Sequence, residues 1–243
     1  MNDIQYGAFL AIPDGIVAEA VARTGFDYVC IDGQHGLLGF DTILQLLQAM
    51  SGSEATLLVR VLDNDAARIG RLLDAGADGI IVPMVNSAAE ARAAVAATRY
   101  APDGDRSFGP MRQIMKQGFG YYDSVKETVQ VIPQIETAVA VEAIDEIVEV
   151  DGVTAVYIGP ADLQISQGYR PAMDGDSIEF NAALNKVLAA CQRTGVIPAI
   201  HATNTAVAQK RKAQGFKMLT VATDLAVLRQ GMTRMLNLAK EEK

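Results

Sequence analysis

The sequence is poor in cysteine and histidine, with two of each, and its 21 basic side chains are outnumbered by 29 acidic ones. Cys30 and Cys191 sit far apart, one in a strand-like and one in a helix-like stretch, and give neither a disulfide framework nor zinc-ligand spacing. They read as buried thiols of a cytoplasmic protein. A formal charge of −8 argues against the basic surface that nucleic acid requires and against adhesion to an anionic membrane. No run approaches the roughly 20 apolar residues that cross a bilayer. The opening stretch MNDIQYGAFLAIPDG has neither the basic start nor the long apolar core of a signal peptide. A G-x-G-x-x-G turn is missing, which argues against a doubly wound open sheet. Linkers, repeats and low-complexity segments are missing too, so one domain spanning 1–243 is expected.

What is there is apolar and periodic. Half of the 243 residues are hydrophobic, and the mean hydropathy is +0.16. Short apolar runs predict strands over 6–12, 27–33, 56–62, 79–85, 128–136, 155–163, 196–202 and 216–223. Each is followed by a stretch with helical periodicity, such as SAAEARAAVAATRY after the fourth. Gly25, Gly76, Gly195 and Gly215 stand where helices should stop. Near-continuous apolar strands alternating with helices imply a parallel sheet covered by helices. Eight such units in about 250 residues make an α/β protein, a (β/α)8 TIM barrel. Two connections are long, 100–127 and 164–176, and long loops in barrels usually serve the active site.

In such a barrel the chemistry gathers at the carboxyl ends of the strands. The second predicted strand ends in Asp32 with His35 beyond it, and the third carries Arg60. The fifth ends Gln134-Ile135-Glu136, and alternation aims Gln134 and Glu136 to one side. The sixth is followed by Asp162, the seventh carries His201, and the eighth ends at Asp224. Neighbouring strands lie about 4.8 Å apart, so Glu136 and Asp162 can converge. Two converging carboxylates repel, share a proton or hold a cation. A hard divalent ion that keeps several waters is held by one or two carboxylates. The plainer alternatives are a helix cap for Asp162, an arginine partner for Glu136, an exposed loop pair for Asp32 and His35, a core imidazole for His201 and a cap of the last helix for Asp224. Arg60 inside an apolar strand needs an anionic partner, which a substrate carboxylate or enolate would supply.

The stretches GFDYVCIDGQHG, LLDAGADGIIVPMVNSAAEARAAVAATRYAPDGDRSFGP, QIET and VDGVTAVYIGPADL resemble the HpcH/HpaI aldolases, metal-dependent class II pyruvate aldolases. The resemblance runs over residues 7–225. It implies a barrel of the phosphoenolpyruvate/pyruvate type in a hexamer, a trimer of dimers, with the C-terminal helix exchanged between subunits. It implies Glu136 and Asp162 as metal ligands for Mg²⁺, Mn²⁺ or Co²⁺, Arg60 as the active-site arginine, and His35 as a base partnered by Asp32. Gln134 matches a glutamine before the metal glutamate. Gly159, Pro160 and Ala161 match the turn whose amides receive the pyruvate carboxylate, and Asp74 matches an aspartate that reaches a neighbouring subunit's site. Gln34 stands where the family commonly has glutamate, and the segment RSFGPMRQIMKQGFGYY departs from its commoner version.

The implied reaction is reversible aldol cleavage of a 4-hydroxy-2-oxo acid to pyruvate, or an analogue such as hydroxypyruvate, plus an aldehyde. The predicted strand ends carry no lysine, which weighs against a Schiff base. Two other enzymes fit the same frame: a lyase acting on a CoA thioester, as in the citrate lyase β and malyl-CoA lyase group, and an oxaloacetate decarboxylase. The first needs a basic groove, for which Arg99, Arg106, Arg112 and Lys116 are the candidates. A small-acid sensor is the non-enzymatic alternative, and it would have no use for His35.

Overall fold

A computed structural model describes residues 4–241, so the first three residues of the opening stretch lie outside it. Eight parallel strands close in sequence order: β1 (Gln5–Leu10), β2 (Tyr28–Asp32), β3 (Thr56–Arg60), β4 (Gly79–Val82), β5 (Gln130–Ile135), β6 (Ala155–Ile158), β7 (Ile197–His201) and β8 (Met218–Thr223). Between them run α1 (Gly15–Ala22), α2 (Phe40–Ala49), α3 (Ala66–Asp74) and α4 (Ala88–Ala96). The chain continues through α5 (Met111–Gln117), α6 (Gly120–Thr128), α7 (Ala138–Glu142), α8 (Ile144–Val148) and α9 (Pro160–Ser166). The last three helices are α10 (Ile178–Thr194), α11 (Thr205–Gln214) and α12 (Asp224–Glu241). The expected (β/α)8 barrel is the observed fold.

The strands read as continuous apolar runs because both of their faces are covered. Inward-facing Phe9, Tyr28, Cys30, Leu58, Ile81, Ile132, Tyr157, Ala199 and Met218 fill the barrel. Outward-facing Val29, Ile31, Val59, Val131, Val156 and Leu219 pack under Leu46, Leu73, Val95, Ile147 and Leu184 of the helices. Gly7 is glycine for room: a Cβ there would lie 2.2 Å from the Tyr28 ring. The helices begin where side chains accept orphan amides, at Asp14, Asp65, Ser87, Thr137, Ser177 and Asn204. The four glycines expected at helix ends all have positive φ, between +82° at Gly195 and +112° at Gly215, a region cheap only without a Cβ.

Two expectations need correction. The sixth strand stops at Ile158, because Pro160 is preset for a first helical position and opens α9. Asp162 therefore stands on the first turn of a helix. The segment 100–127 is not a loop at the site: it contains α5 and α6 and follows α4 rather than β4. A helix that follows a strand returns to the barrel's foot, so this segment lies at the end opposite the strand carboxyl termini. Finally, α12 is exposed along almost its whole length past Asp224, with Leu225, Leu228, Met232, Met235 and Leu236 each more than half exposed.

Candidate active site

The alternation that buries the barrel's inner residues also places its polar ones. Asp32 lies two residues after Cys30, Arg60 two after Leu58, His201 two after Ala199, and Gln134 and Glu136 continue the line of Ile132. Asp32, Arg60, Gln134 and His201 take the first inward positions above the apolar filling and Glu136 the next, so five side chains from four strands, β2, β3, β5 and β7, face one another at the mouth.

Asp32 and Arg60 are register partners on β2 and β3. Their side chains form a fork: Nε to Oδ1 at 2.9 Å and Nη2 to Oδ2 at 2.7 Å. Arg60 thus finds its anionic partner inside the chain rather than only in a substrate. Burial alone would raise the Asp32 carboxyl, but the hydrogen bonds and charge of Arg60 hold it below the usual carboxylate range. The amides of His35 and Gln34, donating to Oδ1 at 3.1 and 3.2 Å, act in the same direction. The expected contact between Asp32 and the His35 imidazole is absent among the described residues. Asp32 spends itself on the guanidinium and on the main chain of the loop, and the His35 side chain is left exposed at the rim.

Glu136 follows β5 and is only 2% exposed. Its Oε1 accepts the amide of Met84 at 2.8 Å, and Oε2 accepts from Gln134 Nε2. Met84 reaches it from a left-handed backbone conformation, φ 56°, unusual for a residue with a side chain. Burial pushes the Glu136 carboxyl up, the negative charge of Asp162 adds to this, and the two hydrogen bonds only partly offset it. The β5–β6 register, Ile135 opposite Ile158, sets Gly159 beside Glu136. A Cβ on Gly159 would lie 2.6 Å from Glu136 Oε2 and 2.8 Å from Gln134 Nε2. Only glycine lets the β6 turn close against the carboxylate. Within that turn Gly159 donates its amide to Ile135 O at 3.3 Å and Pro160 has none to give. The expected three-residue amide cradle reduces to Ala161, whose N–H has no intrahelical acceptor.

Among the described residues, no group of three or more histidine, cysteine, aspartate or glutamate side chains could enclose a metal. The pair Glu136 and Asp162 nonetheless suits a divalent ion. Both offer hard oxygens, each Glu136 oxygen receives a single donor, and Gln134 Oε1 beside them is buried with no partner. A cation that keeps waters and takes one or two carboxylates matches that donor set.

Asp74 is not brought to this mouth. It ends α3 at the barrel's foot and pairs with Arg106 Nη2 at 2.7 Å. His201, left as a core imidazole by sequence reasoning, is at the mouth. Its Nδ1 bonds the Tyr157 hydroxyl at 3.1 Å and its ring meets Phe9 edge-on. Its position two residues after an inward alanine was the signal that could have found it. Asp224 accepts the amides of Ala11 and Ile12 at 2.9 and 3.0 Å and so joins the top of β1 to the start of α12.

A closed parallel barrel with paired carboxylates, a buried arginine fork and a glycine turn at its carboxyl end defines a TIM-barrel enzyme. Residues 5–231 match the family model for HpcH/HpaI aldolase/citrate lyase, and the chain belongs to that family. The hydroxypyruvate/pyruvate aldolase of Rhizorhabdus wittichii is 40% identical over 220 residues, 90% of this chain and 88% of that one. The 4-hydroxy-2-oxo-heptane-1,7-dioate aldolase of Salmonella dublin is 35% identical over 230 residues, 93% and 87%. The crystal structure of an HpcH/HpaI aldolase/citrate lyase family protein from Burkholderia cenocepacia J2315 superposes with a TM-score of 0.91 at 30% identity, covering 98% of this chain and 95% of that one. The protein is a carbon–carbon lyase of the aldolase type.

Proposed function

We propose that the enzyme cleaves a 4-hydroxy-2-oxo acid reversibly to pyruvate, or an analogue such as hydroxypyruvate, plus an aldehyde, with Mg²⁺, Mn²⁺ or Co²⁺ held by Glu136 and Asp162. The observation that carries this reading is the convergence of Glu136, Asp162 and Arg60 at one mouth, felt in the Glu136 carboxyl itself: Asp162 raises it and Arg60 lowers it. When bound, the cation supplies Lewis acidity to the oxo acid. Arg60 presents a fixed cation toward charge that develops on the former keto oxygen, in a setting with little water. Asp32 keeps the planar guanidinium aimed, and anchors the main chain of the loop that brings His35 to the rim. His35 takes the proton of the C4 hydroxyl in cleavage and returns it in synthesis. The Ala161 amide and Gln134 position the carboxylate end of the substrate.

Two placements support assembly as a hexamer, a trimer of dimers. The apolar stripe of α12 has no cover from its own barrel, as a helix exchanged with a partner subunit would require. Asp74 stands at the foot of its own barrel, so a role in catalysis means reaching a neighbour's mouth.

The CoA-thioester reading is weakened by its own candidates. Arg99 pairs with Asp151, Arg106 with Asp74 and Lys116 with Asp78, while Arg112 donates to Ala75 O. All four are engaged, and all lie at the foot of the barrel. The test is chelation: dialysis against EDTA should abolish pyruvate release from a 4-hydroxy-2-oxo acid, and Mg²⁺, Mn²⁺ or Co²⁺ should restore it. Undiminished turnover in chelator refutes the metal's part.

A further inference from the structure

Beneath the mouth a file of hydroxyls crosses the barrel filling. Tyr28 Oη lies 2.8 Å from Thr220 Oγ1, Thr220 Oγ1 lies 2.6 Å from Tyr157 Oη, and Tyr157 Oη lies 3.1 Å from His201 Nδ1. Both tyrosines and the threonine are buried, and among the described residues none of the three hydroxyls has a further partner. Three hydrogens must therefore be placed within this file. One arrangement uses them all: Tyr28 donates to Thr220, Thr220 to Tyr157, and Tyr157 to Nδ1. Reversing the file strands the Tyr28 hydrogen in a dry core, and letting both tyrosines donate to Thr220 strands the threonine's. A buried hydroxyl hydrogen without an acceptor is unfavourable. The file thus fixes the tautomer of His201 with its proton on Nε2.

That nitrogen is free. It has no hydrogen-bond partner among the described residues, and it is not among the buried atoms without one, so it faces the mouth. Burial and the nearby Arg60 charge lower the His201 pKa to about 4, so the ring stays uncharged at neutral pH. Phe9 lies between the two groups, with its ring centroid 5.1 Å from that of His201 and 5.4 Å from the Arg60 guanidinium carbon. A lone uncharged N–H set against an aromatic wall does not compete for a carboxylate or enolate, which Arg60 and a cation attract far more strongly. It suits a neutral oxygen.

We propose that His201 is a specificity-determining residue, a fixed Nε2–H donor to a hydroxyl on the aldehyde-derived half of the substrate, so that the enzyme favours a 2-hydroxyaldehyde over an alkyl aldehyde of equal size. This rests on the aldolase reading above.

Glycolaldehyde and propanal have the same number of heavy atoms and differ in that hydroxyl. With pyruvate as donor and the metal-loaded enzyme, the ratio of their kcat/KM values should fall roughly three- to tenfold in His201→Leu. His201→Gln keeps an uncharged N–H and should retain most of the ratio. A ratio unchanged in His201→Leu, including a loss shared equally by both aldehydes, overturns the proposal. Wild-type enzyme that adds neither aldehyde to pyruvate refutes the aldolase reading instead. Long-range proton–nitrogen NMR of the wild-type chain gives an answer independent of turnover and of how the His201 variants fold. The wild-type chain has only two imidazoles, and His35→Gln assigns them. His201 should show the neutral Nε2–H pattern, unchanged from about pH 6 to 8. An Nδ1–H pattern, or titration in that range, overturns the proposal.

Discussion

Replacing Arg60 by lysine keeps a positive charge and removes the fork. The guanidinium makes two charge-assisted bonds to Asp32, at 2.9 and 2.7 Å, and the Arg60 and Asp32 side chains are only 12% and 11% exposed. An ammonium is a point charge that cannot reproduce the two short, parallel N–H···O bonds of the planar fork, so a loss of about 1.5–3 kcal/mol is expected. The charge left behind also ceases to be held in a plane toward the developing enolate. A kcat lowered about 10- to 100-fold is expected, equivalent to about 1.4–2.7 kcal/mol of transition-state stabilisation. Arg60→Ala is harsher, since it leaves Asp32 buried with no cation. Breaking a buried pair in this way costs about 3–5 kcal/mol, or a Tm lower by roughly 6–20 °C for a chain of this size. Steady-state pyruvate release and thermal unfolding of the metal-loaded variants measure both. Arg60→Lys with near wild-type kcat and unchanged Tm would refute the fork as the device that positions the cation.

Three further outcomes follow from the same geometry. Asp32 has a folded pKa below its unfolded value of about 4, so its pairing stabilises the fold above that value and is lost as pH falls through the lower one. Asp32→Asn should therefore be less stable at neutral pH and show a flatter acid limb in unfolding monitored from about pH 6 to 2; an unaltered limb contradicts the pairing. Gly159→Ala drives a methyl to 2.6 Å from Glu136 Oε2, so cleavage should drop by at least about tenfold while the Tm changes by only a few degrees; normal turnover shows that the turn can give way. Removing residues 226–243 should leave a folded barrel and lower the molecular mass seen by sedimentation, and an assembly of unchanged size rules out α12 as the exchanged element.

Most of the barrel was legible in the sequence because parallel strands covered on both faces must be apolar throughout, and Gly76, Gly195 and Gly215 mark the ends of three helices. The site was legible for the same reason: Asp32, Arg60 and Glu136 interrupt runs that should contain no charge. What escaped was side-chain pairing. Nothing in the chain order says that Asp32 turns to Arg60, 28 positions away, rather than to the imidazole three residues on. The placement of 100–127 is set by its order and not its length: it follows a helix, and so returns to the foot. His201 stands out little in the chain order, since a histidine in an apolar strand is usually a satisfied core residue. The hydroxyl file that satisfies one of its nitrogens needs the closed barrel, which lets inward side chains of the non-adjacent strands β2, β6 and β8 meet across its interior.

The central claim is that Glu136 and Asp162 together hold one divalent ion. Titration of Mn²⁺ into the chelator-stripped enzyme, followed by electron paramagnetic resonance, measures that directly. The account predicts one site per chain in the wild type, and binding weakened at least about tenfold in Glu136→Gln and in Asp162→Asn alike. Wild-type Mn²⁺ affinity in either variant would contradict it.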